Sequence, residues 1–147
     1  MKKIITALAL VGVTGLAHAG QATLSVANDD QVDRVGTRVT LAADKPLFGS
    51  VVPFVSGTFN ERYVRLAAGG EVGLFNVGPV RVAANLAAVY QRNETAPSLG
   101  GVTAGVRATL PVTKNVSVVA GVERFDGNGS SNQYNGVVTT VGLSTRF

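Results

Sequence analysis

Apolar residues alternate with small or polar ones along most of this chain from residue 20 onward. Val35, Thr37, Val39 and Leu41 fall on one face, with Arg34, Gly36, Arg38 and Thr40 on the other. The same period of two carries Val64, Leu66, Ala68, Val72 and Leu74 against Arg65, Ala67, Gly69, Glu71 and Gly73. It recurs from Val80 to Gln91, Val102 to Leu110, Val116 to Glu123 and Val137 to Phe147. Ala22, Leu24 and Val26 likewise oppose Thr23, Ser25 and Ala27. Side chains in a strand point alternately to opposite faces, so this pattern predicts strands rather than helices. An eighth strand is expected from Ser50 to Phe59, where Val51, Val52, Phe54 and Val55 blur the two faces. Pro53 and Gly57 predict a bend or bulge there.

Turn formers separate the eight segments. They are Asp29-Asp30-Gln31, Asp44-Lys45-Pro46, Asn60-Glu61-Arg62, Asn76 to Pro79, Asn93 to Ser98, Pro111 to Asn115, and Asp126 to Gly136. Asx side chains bond their own backbone, and Gly tolerates dihedrals closed to other residues. Short connections of this kind join antiparallel neighbours. The prediction is an all-β, antiparallel, up-and-down sheet of eight strands.

Face composition decides what that sheet packs against. A soluble antiparallel sheet solvates its polar face with Lys and Glu. Here the polar face is mostly Gly, Ala, Ser and Thr with single Arg or Glu residues, while Lys45 and Lys114 lie in turns. Apolar residues facing lipid and small residues facing a narrow lumen give this pattern. Hydrocarbon would leave an open sheet edge unsatisfied at several kcal/mol per group, so the strands must close. The expected fold is an eight-stranded antiparallel transmembrane β-barrel with both termini on the periplasmic side. The Lys45, Gly78-Pro79 and Lys114 turns then lie in the periplasm, and the other loops outside. A secreted soluble β-sandwich that binds a ligand is the alternative.

The N-terminus carries its own signal. Lys2 and Lys3 precede an uncharged, mostly apolar run, and Ala17-His18-Ala19 offers small residues for cleavage. Ile4 to Ala17 is about 14 residues, short of the ~20 needed for a membrane-spanning helix. Residues 1–19 are read as a signal peptide and 20–147 as the barrel domain. Of the 13 basic residues two leave with the signal, so 11 face 9 acidic ones and the net charge falls from +4 to +2. Such balance gives no case for nucleic acid, which needs a clustered basic face. Cys and Trp are absent, and the single His and Met lie within the first 19 residues.

The last segment, Gly136 to Phe147, ends in Phe with apolar residues at alternate positions before it. With the signal peptide, it resembles the small outer-membrane β-barrels of Gram-negative bacteria, of the outer-membrane protein A and X kind. The resemblance implies an outer-membrane location and a final strand, through Val141, Leu143 and Phe147, read by the barrel-assembly machinery. Thr145 stands where the family often has an aromatic residue. It also implies contact with outer-membrane lipid and lipopolysaccharide. Arg62, Arg92 and Arg124, at expected external strand ends, are the candidates for pairing with lipopolysaccharide phosphates.

Catalytic chemistry is sparse. Enzymes among outer-membrane barrels of known types use a His base, and none remains after processing. No enzyme activity, cofactor or metal site is expected. Asp29, Asp30 and Asp33 crowd one loop without a full cation ligand set and are expected to be solvated. Asp126, Asn128 and Ser130 begin like a calcium loop, but Ser131 and Val137 replace its Gly and Glu. The most informative set is the inward charges Arg38, Arg65, Glu71, Arg81, Arg107, Glu123 and Arg146. They are read as a structural lumen network, since eight strands enclose a space just wide enough for side chains to fill. The functional expectation is a structural or surface-interaction role in the envelope, with the Asp126 to Gly136 loop as best contact. The alternative is a narrow porin-like channel for small, anionic solutes.

Overall fold

The computed structural model describes residues 19–30, 34–47, 49–128 and 133–147, with backbone alone at 19, 34, 133 and 134. The expected signal peptide lies outside the described residues except for Ala19, as do Asp33, Ser130 and Ser131. The strands are β1 (Ala19–Asp29), β2 (Arg34–Ala43), β3 (Val51–Phe59) and β4 (Tyr63–Val77), then β5 (Val80–Asn93), β6 (Leu99–Pro111), β7 (Val116–Asn128) and β8 (Gln133–Arg146). Each pairs antiparallel with its sequence neighbours, and β1 pairs with β8 from Gln21↔Arg146 to Asp29↔Val138, closing the barrel. Closure leaves neither edge of the sheet exposed. No described helix is long and apolar enough to cross a membrane, which says nothing of strands.

The faces are inverted relative to a soluble protein. Leu24, Leu86, Val141 and Leu143 point outward and are about 60% exposed, at 60%, 63%, 62% and 59%. Arg38, Arg65, Asn85, Gln91 and Glu123 point inward and are buried. An apolar belt encircling the molecule far exceeds the few hundred Å² that soluble monomers leave uncovered. The two-layer sandwich is therefore overturned: there is one sheet, closed on itself around a polar centre.

Three local expectations are corrected. In β3 the ladder to β4 runs without a register shift, with Phe54 and Thr58 buried inside and Val55 outside, although Gly57 is buried as well. Pro53 makes no bulge because the β2 ladder ends beside it at Ala42↔Phe54, leaving β4 as its sole ladder partner. Register shifts lie instead in β4, where Leu74 is extra between Gly73↔Ala83 and Phe75↔Val82, and at the start of β1, between Ala19 and Gln21. Finally, the expected loop from Asp126 to Gly136 is mostly ladder, with Asp126↔Asn135, Gly127↔Tyr134 and Asn128↔Gln133 paired. Gly78 and Pro79 alone connect β4 to β5, with Gly78 at φ +57°. A tight hairpin with Gly first and Pro second matches the right-handed twist of its strands.

Candidate functional site

Among the described residues the inward charges form three ion pairs at successive levels along the barrel. Nearest the terminal end of the barrel, where β1 begins and β8 ends, Arg107 Nη1 of β6 lies 3.0 Å from Glu71 Oε2 of β4. This contact is charge against charge without hydrogen-bond alignment, since that oxygen accepts no hydrogen bond. Midway, Arg38 Nη1 donates to Glu123 Oε2 at 2.7 Å, and Arg38 Nε donates to Thr58 Oγ1 at 2.9 Å. Asn85 Nδ2 stands at 3.5 Å from the other Glu123 oxygen, a weak contact. Toward the opposite, distal end, Arg65 Nη2 donates to Asp29 Oδ2 at 2.9 Å and Arg65 Nε to Gln91 Oε1 at 2.8 Å.

Arg65 is the most thoroughly held of these cations. Its guanidinium lies 4.7 Å from the Tyr63 ring centre and 4.3 Å from that of Phe125. Tyr63 donates its hydroxyl to the same Asp29 oxygen at 2.6 Å. Planar guanidinium suits this combination of ring stacking and forked donation. Between this layer and the Arg38–Glu123 pair the interior is nearly full. The space left among Arg38, Phe54, Arg65, Val89, Thr103 and Glu123 amounts to about 10 Å³, room for one water at most.

Arg38 is therefore brought to Glu123 and Arg107 to Glu71, Arg65 pairs with Asp29 from outside the expected set, and Arg81 and Arg146 make no ion pair with a described residue. Both are exposed at the terminal mouth, where they line a cavity of about 210 Å³ with Glu71 and Lys114. Asp29 is a correction. Expected in a solvated acidic loop, it is the last residue of β1 and only 1% exposed. Its phase with Thr23, Ser25 and Ala27 carried that signal in the sequence. Asp30 leaves the cluster too, accepting the Val137 N–H at 2.7 Å. No described group of acidic or His residues is placed to hold a metal ion. Phe125 and Tyr63, both buried inside, were missed, because aromatic residues at strand ends fit either face.

Arg62, Arg92 and Arg124 are all exposed. Arg92 of β5 faces outward opposite Val64, and the Arg62 carbonyl in the adjoining turn accepts the Glu94 N–H at 2.9 Å. Arg124 is on β7, apart from them, and its Nε donates to Asp126 Oδ1 at 3.2 Å. Val141, Leu143 and Phe147 all face outward and exposed.

No known protein family matches the chain. No curated protein matches it either. Among solved structures, a designed transmembrane β-barrel superposes with a TM-score of 0.56 at 15% identity, covering 86% of this chain and 93% of the design. The Neisserial surface protein A, NspA, superposes with a TM-score of 0.53 at 15% identity, covering 86% of this chain and 94% of NspA. The fold is that of a transmembrane β-barrel. Identity this low carries the architecture and nothing of ligand or partner. The design's likeness is instructive all the same, because a barrel built for bilayer insertion shares the closure and strand number found here.

Proposed function

We infer that this chain is an integral outer-membrane β-barrel of a Gram-negative envelope, exported by its N-terminal signal peptide, with a structural or surface-interaction role. The observation that carries the reading is the apolar belt around a closed barrel whose centre is charged and paired. Lipid covers such a belt at no cost, whereas water would leave Leu24, Leu86, Val141 and Leu143 exposed. The filled neck between Arg38 and Arg65 speaks against a solute channel. The likeness to NspA supports the outer membrane as the location. The absence of a His base in residues 20–147 supports a non-enzymatic role.

Within this reading, Val141, Leu143 and Phe147 form the assembly signal presented by β8. Arg62 and Arg92 are the better candidates for lipopolysaccharide phosphates, since Arg124 is already engaged by Asp126. Fractionation of a Gram-negative host expressing the chain tests the location. Recovery in the outer membrane, with different gel mobility before and after boiling, supports it. Recovery in a detergent-free periplasmic or medium fraction rejects it.

A further inference from the structure

Deeper in the lumen the charges balance. Arg38, Arg65 and Arg107 each have a carboxylate partner in Glu123, Asp29 and Glu71. At the terminal mouth they do not. Arg81, Lys114 and Arg146 converge on one concave cavity from β5, the β6–β7 turn and β8, and none makes an ion pair with a described residue. Glu71 is the one carboxylate lining that cavity, and Arg107 already faces it. The remaining lining is mostly hydroxyl and amide, including Thr113, Asn115 and Ser117, with Pro79 and Pro111 at the rim turns.

Surplus charge costs less in open solvent than in a concavity, where low-dielectric walls focus the field and raise the local concentration of counter-ions. Arg81 is also directed into the mouth. Its guanidinium lies along Gly73 of β4, where any Cβ would approach Nη2 to 3.3 Å. Volume of about 210 Å³ admits more than single waters. Guanidinium forks match phosphate and carboxylate oxygens bidentately, and an ammonium adds a point charge.

We propose that the terminal mouth is a binding site for a small soluble multivalent anion, phosphate- or carboxylate-bearing, held by Arg81, Arg146 and Lys114. The site sits at the lumen mouth rather than on the outward belt, so its ligand is not a membrane lipid. Only about 10 Å³ is left deeper in, among Arg38, Arg65 and Glu123, so the proposed site is a blind one. Binding without passage is the consequence.

Titration calorimetry of the folded protein in neutral maltoside micelles, with pyrophosphate as probe at low salt, tests this. One saturable site is expected, weakening as salt rises. Arg81→Gln with Arg146→Gln should raise Kd about tenfold or more, the usual scale for losing charge-assisted contacts. Lys114→Gln, in a turn and neutral to folding, should raise it several-fold. Gly73→Val, which keeps every charge but displaces Arg81, should weaken binding as well. Arg124→Gln, outside the mouth, should leave it unchanged. Absence of saturable heat, or equal affinity in the wild type and the Lys114→Gln variant, overturns the proposal. These outcomes are independent of membrane location, which fractionation alone decides.

Discussion

Arg38 of β2 and Glu123 of β7 meet across the lumen at 2.7 Å, joining strands separated by β1 and β8. Arg65 and Asp29 do the same between β4 and β1. Ladder bonds connect only adjacent strands, so these pairs fix the barrel's cross-section in a way the sheet does not. Both side chains of the Arg38–Glu123 pair are more than nine-tenths buried.

Glu123→Ala strands the Arg38 guanidinium inside the lumen. Removing one partner of a buried pair costs about 3–5 kcal/mol. Arg124→Ala breaks an exposed pair and should cost about 1 kcal/mol or less. Urea midpoints of the two variants, refolded into the same micelles, should therefore separate clearly. Equal midpoints would show that the lumen pair contributes nothing to stability.

Asp29 and Asp30 are adjacent but differ in role. Asp29→Asn removes the counter-charge of buried Arg65, whereas Asp30→Asn keeps the oxygen that accepts the Val137 N–H. Asp29→Asn should lower the unfolding midpoint markedly and Asp30→Asn barely move it. Thermal melts followed by circular dichroism read both.

Much of this was legible because alternation and closure are properties of the sequence pattern itself. Every outward apolar residue of β5 and β8 follows from counting by two, and so do the inward Arg38, Arg65, Arg107 and Glu123. Asp29 escaped because two further carboxylates beside it resemble a loop, although its phase with Ala27 places it in the strand. The β4 bulge escaped because Gly73, Leu74 and Phe75 break the pattern without showing which residue is extra. Pairings across the lumen were not legible at all. Which Arg meets which Glu depends on strand tilt and register around the whole barrel, and no local spacing encodes that.

The nearly full space between the Arg38–Glu123 and Arg65–Asp29 layers predicts a closed lumen. Wild-type protein in a planar bilayer should show no steady steps. Arg38→Ser with Glu123→Ser removes one boundary of the neck but leaves the buried Arg65–Asp29 layer in place, so that variant should not conduct either. Steady conductance in the wild type would show an open lumen and contradict the filled neck.

The β4–β5 hairpin depends on a left-handed residue. Gly78→Val puts a β-branched side chain at φ +57°, which costs about 1–2 kcal/mol. Slower refolding or a lower midpoint of that size should follow, with the lumen pairs intact. An unchanged variant would mean that the turn relaxes to another conformation.

The central claim is that the apolar face of this sheet meets acyl chains. Because the sequence contains no Trp, Leu86→Trp and Leu143→Trp each introduce one fluorophore on that face. In vesicles of lipids brominated along the acyl chain, both should be strongly quenched relative to unbrominated vesicles. Blue-shifted emission that bromine does not touch would put these positions in a dry protein interior and contradict the account.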